Sequence, residues 1–90
     1  MELKNLRTFQ AVVDHGSYQR AADFLGYTQS TITVQIRQLE EELGVKLFHR
    51  SNHSIVLTDA GILLKRRAQE LISLAEKTKR EFRMGKCAER

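Results

Sequence analysis

The sequence predicts a mainly α fold: three short helices, a two-stranded hairpin and a long last helix. Three observations carry this. Apolar residues recur at steps of three and four over residues 3–14, 17–25, 28–43 and 58–84, the period of a half-buried helix. Gly16, Gly26 and Gly44 close the first three of these stretches, where helices end. Residues 45–57 alone break the pattern: Val45 to Arg50 and Ile55 to Leu57 are short apolar segments either side of Ser51-Asn52-His53-Ser54, a polar turn of the kind that joins two strands.

In the first helix, Leu3, Leu6, Phe9, Val12 and Val13 form one stripe, with His15-Gly16 at its end. It supplies core behind the next two helices. The second, roughly Ser17 to Leu25, is expected to bury Ala21, Ala22, Phe24 and Leu25. Gly26 follows, where a sharp reversal needs positive φ without a Cβ clash. Thr28 offers a hydroxyl to the open N–H groups of the third helix, roughly Thr28 to Leu43. That helix carries Ile32, Ile36, Leu39 and Leu43 as its apolar stripe. Small Ala22 permits close approach, Gly26 turns the chain and Ile32 plugs the angle. Those residues at those spacings describe a helix-turn-helix whose second helix enters the major groove of DNA.

The face opposite the stripe supports that reading. Ser30, Thr33, Val34, Arg37 and Gln38 lie there, with Gln29 at the helix start. Its first three turns lack the Glu and Lys of an ordinary solvated face, and short polar side chains let a helix lie close to base edges and phosphates. The run Glu40-Glu41-Glu42 falls at the far end, away from DNA if the N-terminal turns enter the groove; as plain surface residues that favour a helix they would fit equally well. Two strands after a helix-turn-helix make a wing. Arg50 is its best candidate for a phosphate or minor-groove contact, joined by Asn52 and His53.

Thr58-Asp59 opens the last helix with a hydroxyl cap and a carboxylate at the positive end of the dipole. At 1.5 Å per residue, Thr58 to Met84 spans about 40 Å, too long for its far half to be buried on its own domain. Gly61 and the residues Leu64, Ala68, Leu71, Ala75, Thr78 and Phe82 recur as a heptad seam, which predicts a homodimer through this helix. The expected organisation is residues 1–57 as the winged helix-turn-helix (helix-turn-helix about 18–43, wing about 46–57), 58–85 as the dimerisation helix, and 86–90 as a frayed tail. Cys87, in that tail, is expected to be an incidental thiol.

At this point the chain resembles the N-terminal DNA-binding domain of LysR-type transcriptional regulators. The resemblance covers nearly the whole chain and rests on Ala21-Ala22, Leu25, Gln29-Ser30, Ile32, Gln35-Ile36, Leu39-Glu40, Leu43-Gly44, Leu47-Phe48, Arg50, Leu57-Thr58 and Ala60-Gly61. It implies a wing along the minor groove, antiparallel pairing of the last helices, inverted-repeat operators with T and A at their conserved positions, and a bacterial source. Family members also carry a larger effector-binding domain after this point, so no small-molecule effector is expected within these residues. Two positions depart from the family pattern: Val34 stands where Arg or Lys is usual, and His53 where a basic residue is usual.

Composition narrows the alternatives. Ninety residues make one domain, and the formal charge of +4 suits an anionic partner. Residues 16–45 hold Arg20 and Arg37 against Asp23, Glu40, Glu41 and Glu42, so the positive excess lies in Lys46, Arg50 and the last helix. Phosphate affinity should come mostly from outside the reading helix. A single cysteine and three scattered histidines give no disulfide framework and no metal-ligand spacing. No apolar run reaches membrane-span length, and no signal peptide opens the chain. A cytoplasmic, nucleoid-associated protein without cofactor is expected. No nucleophile–base pair or phosphate-cradling loop points to an enzyme. The rival from another class is a protein-interaction module docking through the basic last helix.

Overall fold

The second and third helices each begin on a hydroxyl cap and end on a left-handed glycine. The computed structural model describes residues 1–49 and 55–83. Helix α1 spans Leu3–His15, α2 Tyr18–Leu25 and α3 Gln29–Leu43, followed by strands β1 (Phe48–His49) and β2 (Val56–Leu57) and helix α4 (Asp59–Arg83). The Ser17 hydroxyl accepts from the Arg20 N–H, and the Thr28 hydroxyl from the Thr31 N–H, filling orphan donors at the starts of α2 and α3. Gly26 takes φ 77° and passes its N–H to the Ala22 carbonyl, closing α2 before the chain turns into α3.

The core forms where the three short helices and the first half of α4 meet. Leu6, Phe9 and Val12 of α1, Ala21 and Ala22 of α2, Ile32, Ile36 and Leu39 of α3, Leu47, and Leu64, Ala68 and Ile72 of α4 are all buried in one cluster. Alanines at 21 and 22 leave no bulk between α2 and its neighbours, and Ile32 fills the angle. Phe9 and Phe48 meet with ring centroids 5.4 Å apart, seating the wing root on the core.

Four expectations from sequence are corrected. Phe24 is 67% exposed, because only the narrow Ala21–Ala22–Leu25 side of α2 meets the core; its ring stacks on His15 at 4.6 Å instead. Leu3 and Leu43, at the outer ends of their stripes, are also exposed. The strands begin later than expected: among the described residues the antiparallel ladder pairs Phe48 with Leu57 and His49 with Val56. Val45 is outside it, since its N–H and that of Gly44 both turn back to the Glu40 carbonyl to close α3.

The fourth concerns α4. Its first half is not a free seam but lies against α1, with Gly61, Leu64, Ala68 and Ile72 buried. Gly61 is the point of closest approach: a Cβ there would sit 2.2 Å from the Leu47 carbonyl oxygen and 2.8 Å from Leu57 Cδ2. The Thr58 hydroxyl accepts from the Gly61 N–H at 3.0 Å and donates to the Lys46 carbonyl at 2.6 Å, pinning the start of α4 to the wing root.

Candidate nucleic-acid interface

Helix α3 is held from behind by a polar ladder that sequence reasoning missed. Asn5 and Thr8, one turn apart on α1, are buried. The Thr8 hydroxyl donates to Gln35 Oε1, and Asn5 Nδ2 donates to Gln38 Oε1 at 3.1 Å. Buried amides and hydroxyls are costly unless paired, so these bonds, which leave only Asn5 Oδ1 without a partner among the described residues, fix the register of α3 on α1. The signal was present in Asn5 and Thr8, which share the buried side of α1 with Leu6, Phe9 and Val12.

The ladder also sorts the candidate groove residues. Gln38, expected to face DNA, is exposed but spends its carbonyl on Asn5. Gln29, Ser30, Val34 and Arg37 are exposed, with Thr33 half-buried beside them. The Thr33 hydroxyl donates back to the Gln29 carbonyl at 3.1 Å. Val34, 48% exposed, lines a shallow groove with Lys4, Ser30, Thr31, Gln35 and Gln38. On the other flank a cleft of about 640 Å³ runs between α3 and the wing, bounded by Thr33, Arg37, Glu40, Lys46, His49 and Thr58 among others.

Glu40 anchors that cleft. Its side chain is only 16% exposed. Its Oε2 accepts from the Leu47 N–H at 2.9 Å, tying the reading helix to the wing root. Burial, and then the negative charge of Glu40, push the Tyr18 phenol above its ordinary value, so it stays protonated. The acidic run therefore does not act as one unit: Glu40 is structural, whereas Glu41 and Glu42 are exposed at the helix end. The wing candidates Arg50, Asn52 and His53 lie outside the described residues, as do the 51–54 turn and Cys87.

Sequence named Leu64, Ala68, Leu71, Ala75, Thr78 and Phe82 as one pairing seam. Leu64 and Ala68 are core residues of their own chain and Ala75 is half-buried. Leu71, Thr78 and Phe82 are exposed, and Leu63 and Leu74, which the seam left out, are exposed with them. The apolar stripe on offer is therefore rotated round the helix to Leu63, Leu71, Leu74, Thr78 and Phe82. The Arg7 guanidinium bridges α1 to Glu76 at 2.5 Å, just where α4 leaves the body. That hydrogen bond and charge hold the Glu76 carboxyl below the usual carboxylate range.

Three short helices, the third with an uncovered polar face, and a two-stranded wing beside it define a winged helix-turn-helix domain. The particular kind follows from comparison. Residues 3–62 match the family described as bacterial regulatory helix-turn-helix protein, lysR family, and the chain belongs to that family. It is 41% identical over 86 residues to the HTH-type transcriptional regulator YofA of Bacillus subtilis (strain 168), covering 96% of this chain and 30% of that protein. It is 47% identical over 76 residues to the HTH-type transcriptional regulator SoxR of Arthrobacter sp. (strain TE1826), covering 84% of this chain and 26% of that one. The chain thus spans less than a third of the length of these relatives. Among solved structures it resembles the BenM DBD/catB site 1 DNA complex, with TM-score 0.90, 33% identity and 100% of both chains covered. It also resembles the CbnR DBD–DNA complex, with TM-score 0.89, 37% identity, and 93% and 97% covered. Among the described residues, no helix is long and apolar enough to cross a membrane.

Proposed function

We propose that this chain is the operator-reading part of a LysR-type transcriptional regulator, binding double-stranded DNA as a homodimer in the bacterial cytoplasm. The observation that carries it is the face of α3. Gln29, Ser30, Thr33, Val34 and Arg37 share one uncovered face, Thr33 and Arg37 toward the wing cleft and Ser30 and Val34 toward the groove with Lys4, while the opposite side of the same helix is fixed by hydrophobic core and polar ladder. A helix so held presents one face to a groove at constant depth. Arg37 and Lys46 flank the cleft, and Arg50 is proposed to add a phosphate or minor-groove contact, with Asn52 and His53 as further candidates. The relatives are named as transcriptional regulators, and the two domain structures described above are complexes with DNA. Gln38 serves chiefly to hold α3 on α1. Dimerisation uses the exposed α4 stripe, with two copies reading an inverted repeat.

Binding-site selection from random duplexes, followed by footprinting, tests this reading. The expected result is enrichment of an inverted repeat containing A·T pairs, protected on one side of the helix. Arg50→Ala should weaken all duplexes alike and reduce the salt slope by about one contact's share. Absence of any enriched duplex, with capture of an acidic protein surface instead, would overturn the assignment in favour of a protein-docking module.

A further inference from the structure

We infer that Val34 and the methyl group of Thr33 form a reader of pyrimidine 5-methyl groups in the major groove. The inference rests on the DNA-binding reading above and adds what that face recognises. A single exposed valine on a solvated helix carries no meaning. Val34 differs in where it sits. It is 48% exposed near the middle of α3's outward face, among Ser30, Arg37 and Gln38. Ser30 is short and Gln38 spends its Oε1 on Asn5, so these neighbours leave the 48% exposed Val34 side chain at the helix surface.

Thr33 supplies the second half. A threonine on a reading helix can offer a hydroxyl or a methyl. Here the hydroxyl donates to the Gln29 carbonyl at 3.1 Å, one turn back along α3. With its hydrogen committed to the backbone, the hydroxyl cannot donate to a base edge, and the Cγ2 methyl is the apolar group that Thr33 offers. Thr33 and Val34 are consecutive, so their methyls flank the line of Ser30 and Arg37 on either side. Neither hydrogen-bonds a base edge through these groups, which removes the donor and acceptor code as their means of discrimination.

One apolar feature is available on a base edge in the major groove: the C5 substituent of a pyrimidine, which is a methyl in thymine and in 5-methylcytosine and a hydrogen in uracil and cytosine. Burying one methyl against another is worth about fourfold in affinity. The site therefore treats a pyrimidine with a 5-methyl as favourable whichever base carries it. Operator affinity then responds to cytosine-5 methylation at the contacted step.

The experiment uses a duplex obtained by binding-site selection. At each position in turn, thymine is replaced by uracil, and at the sensitive position cytosine is compared with 5-methylcytosine. Uracil should weaken wild type about fourfold at one or two adjacent positions and nowhere else in the half-site. Val34→Ser should lose the discrimination at one of them. Thr33→Ser, which keeps the hydroxyl for Gln29 and deletes only the methyl, should lose it at the other. A matching gain with 5-methylcytosine over cytosine makes the methyl itself the recognised group; a gain confined to thymine against uracil makes thymine its source. Wild type that binds its selected duplex but tolerates uracil everywhere would overturn this inference and leave DNA binding intact. So would Val34→Ser and Thr33→Ser variants that discriminate as wild type does. Failure to bind any duplex would overturn both.

Discussion

Gly61 decides how closely α4 can lie on the wing root. Alanine favours a helix over glycine by about 1 kcal/mol, so Gly61→Ala would stabilise an unconstrained α4. Here the added methyl would meet the Leu47 carbonyl at 2.2 Å. That oxygen is backbone, and it also receives the Thr58 N–H at 3.0 Å, so it cannot yield cheaply. Overpacking should win, and Gly61→Ala is expected to lose about 1–3 kcal/mol, read from the urea midpoint. An unchanged or raised midpoint would show that the α4 start is looser than its contacts imply. At the other buried contact, Gln35→Leu leaves the Thr8 hydroxyl without its acceptor and should cost about 1–3 kcal/mol. Adding Thr8→Val should restore much of the loss, because both polar partners are then gone; equal losses in the single and double variants would deny the pair its role.

At the scale of elements, the helices were legible because each announces itself twice, in its apolar period and in its caps. Thr28 and Thr58 cap in the structure as their positions suggest, and Ser17, read only as the start of α2, caps it as well. What was not legible depends on contacts that no local pattern encodes. Phe24 reads as core by hydrophobicity, yet α2 is so short that its buried side is filled by Ala21, Ala22 and Leu25. Among the described residues the wing ladder pairs two residues per strand, too few for alternation to be recognised. Glu40 reads as one of three surface carboxylates, and only the turn at Gly44 brings the Leu47 N–H within its reach. That contact predicts a graded outcome. Glu40→Ala should expose the Leu47 amide and speed its hydrogen exchange, while Glu40→Gln, which keeps a carbonyl acceptor, should retain most of the protection. Equal protection in the wild type and Glu40→Ala would mean that the wing root is held by Thr58 and Phe48 alone.

Across the whole molecule, the long axis of 54 Å against widths of 26 and 19 Å reflects α4 leaving the body. Periodicity could not separate its two faces, since one apolar stripe against its own core and another for a partner both recur at three and four residues. The structure separates them by burial, and this turns the dimer into a paired prediction. Ala68→Glu places a charge where exposure is 0% and should unfold the domain. Leu74→Glu places the same charge where exposure is 60%, and should leave the domain folded. If α4 pairs through Leu63, Leu71, Leu74 and Phe82, however, Leu74→Glu sets two carboxylates into one seam across the two-fold axis. Sedimentation should then shift from dimer to monomer, and affinity for a two-part site should fall to that for a single half-site. The direction of α4 enters the same measurement. The Arg7–Glu76 pair is formed above the ordinary glutamate range and lost as pH falls through the depressed value of Glu76, so Arg7→Met should loosen half-site spacing at neutral pH without dissolving the dimer. A Leu74→Glu chain that still sediments as a dimer would move the interface off this stripe, and a wild type that is monomeric at high concentration, free and on DNA, would remove it from α4 altogether.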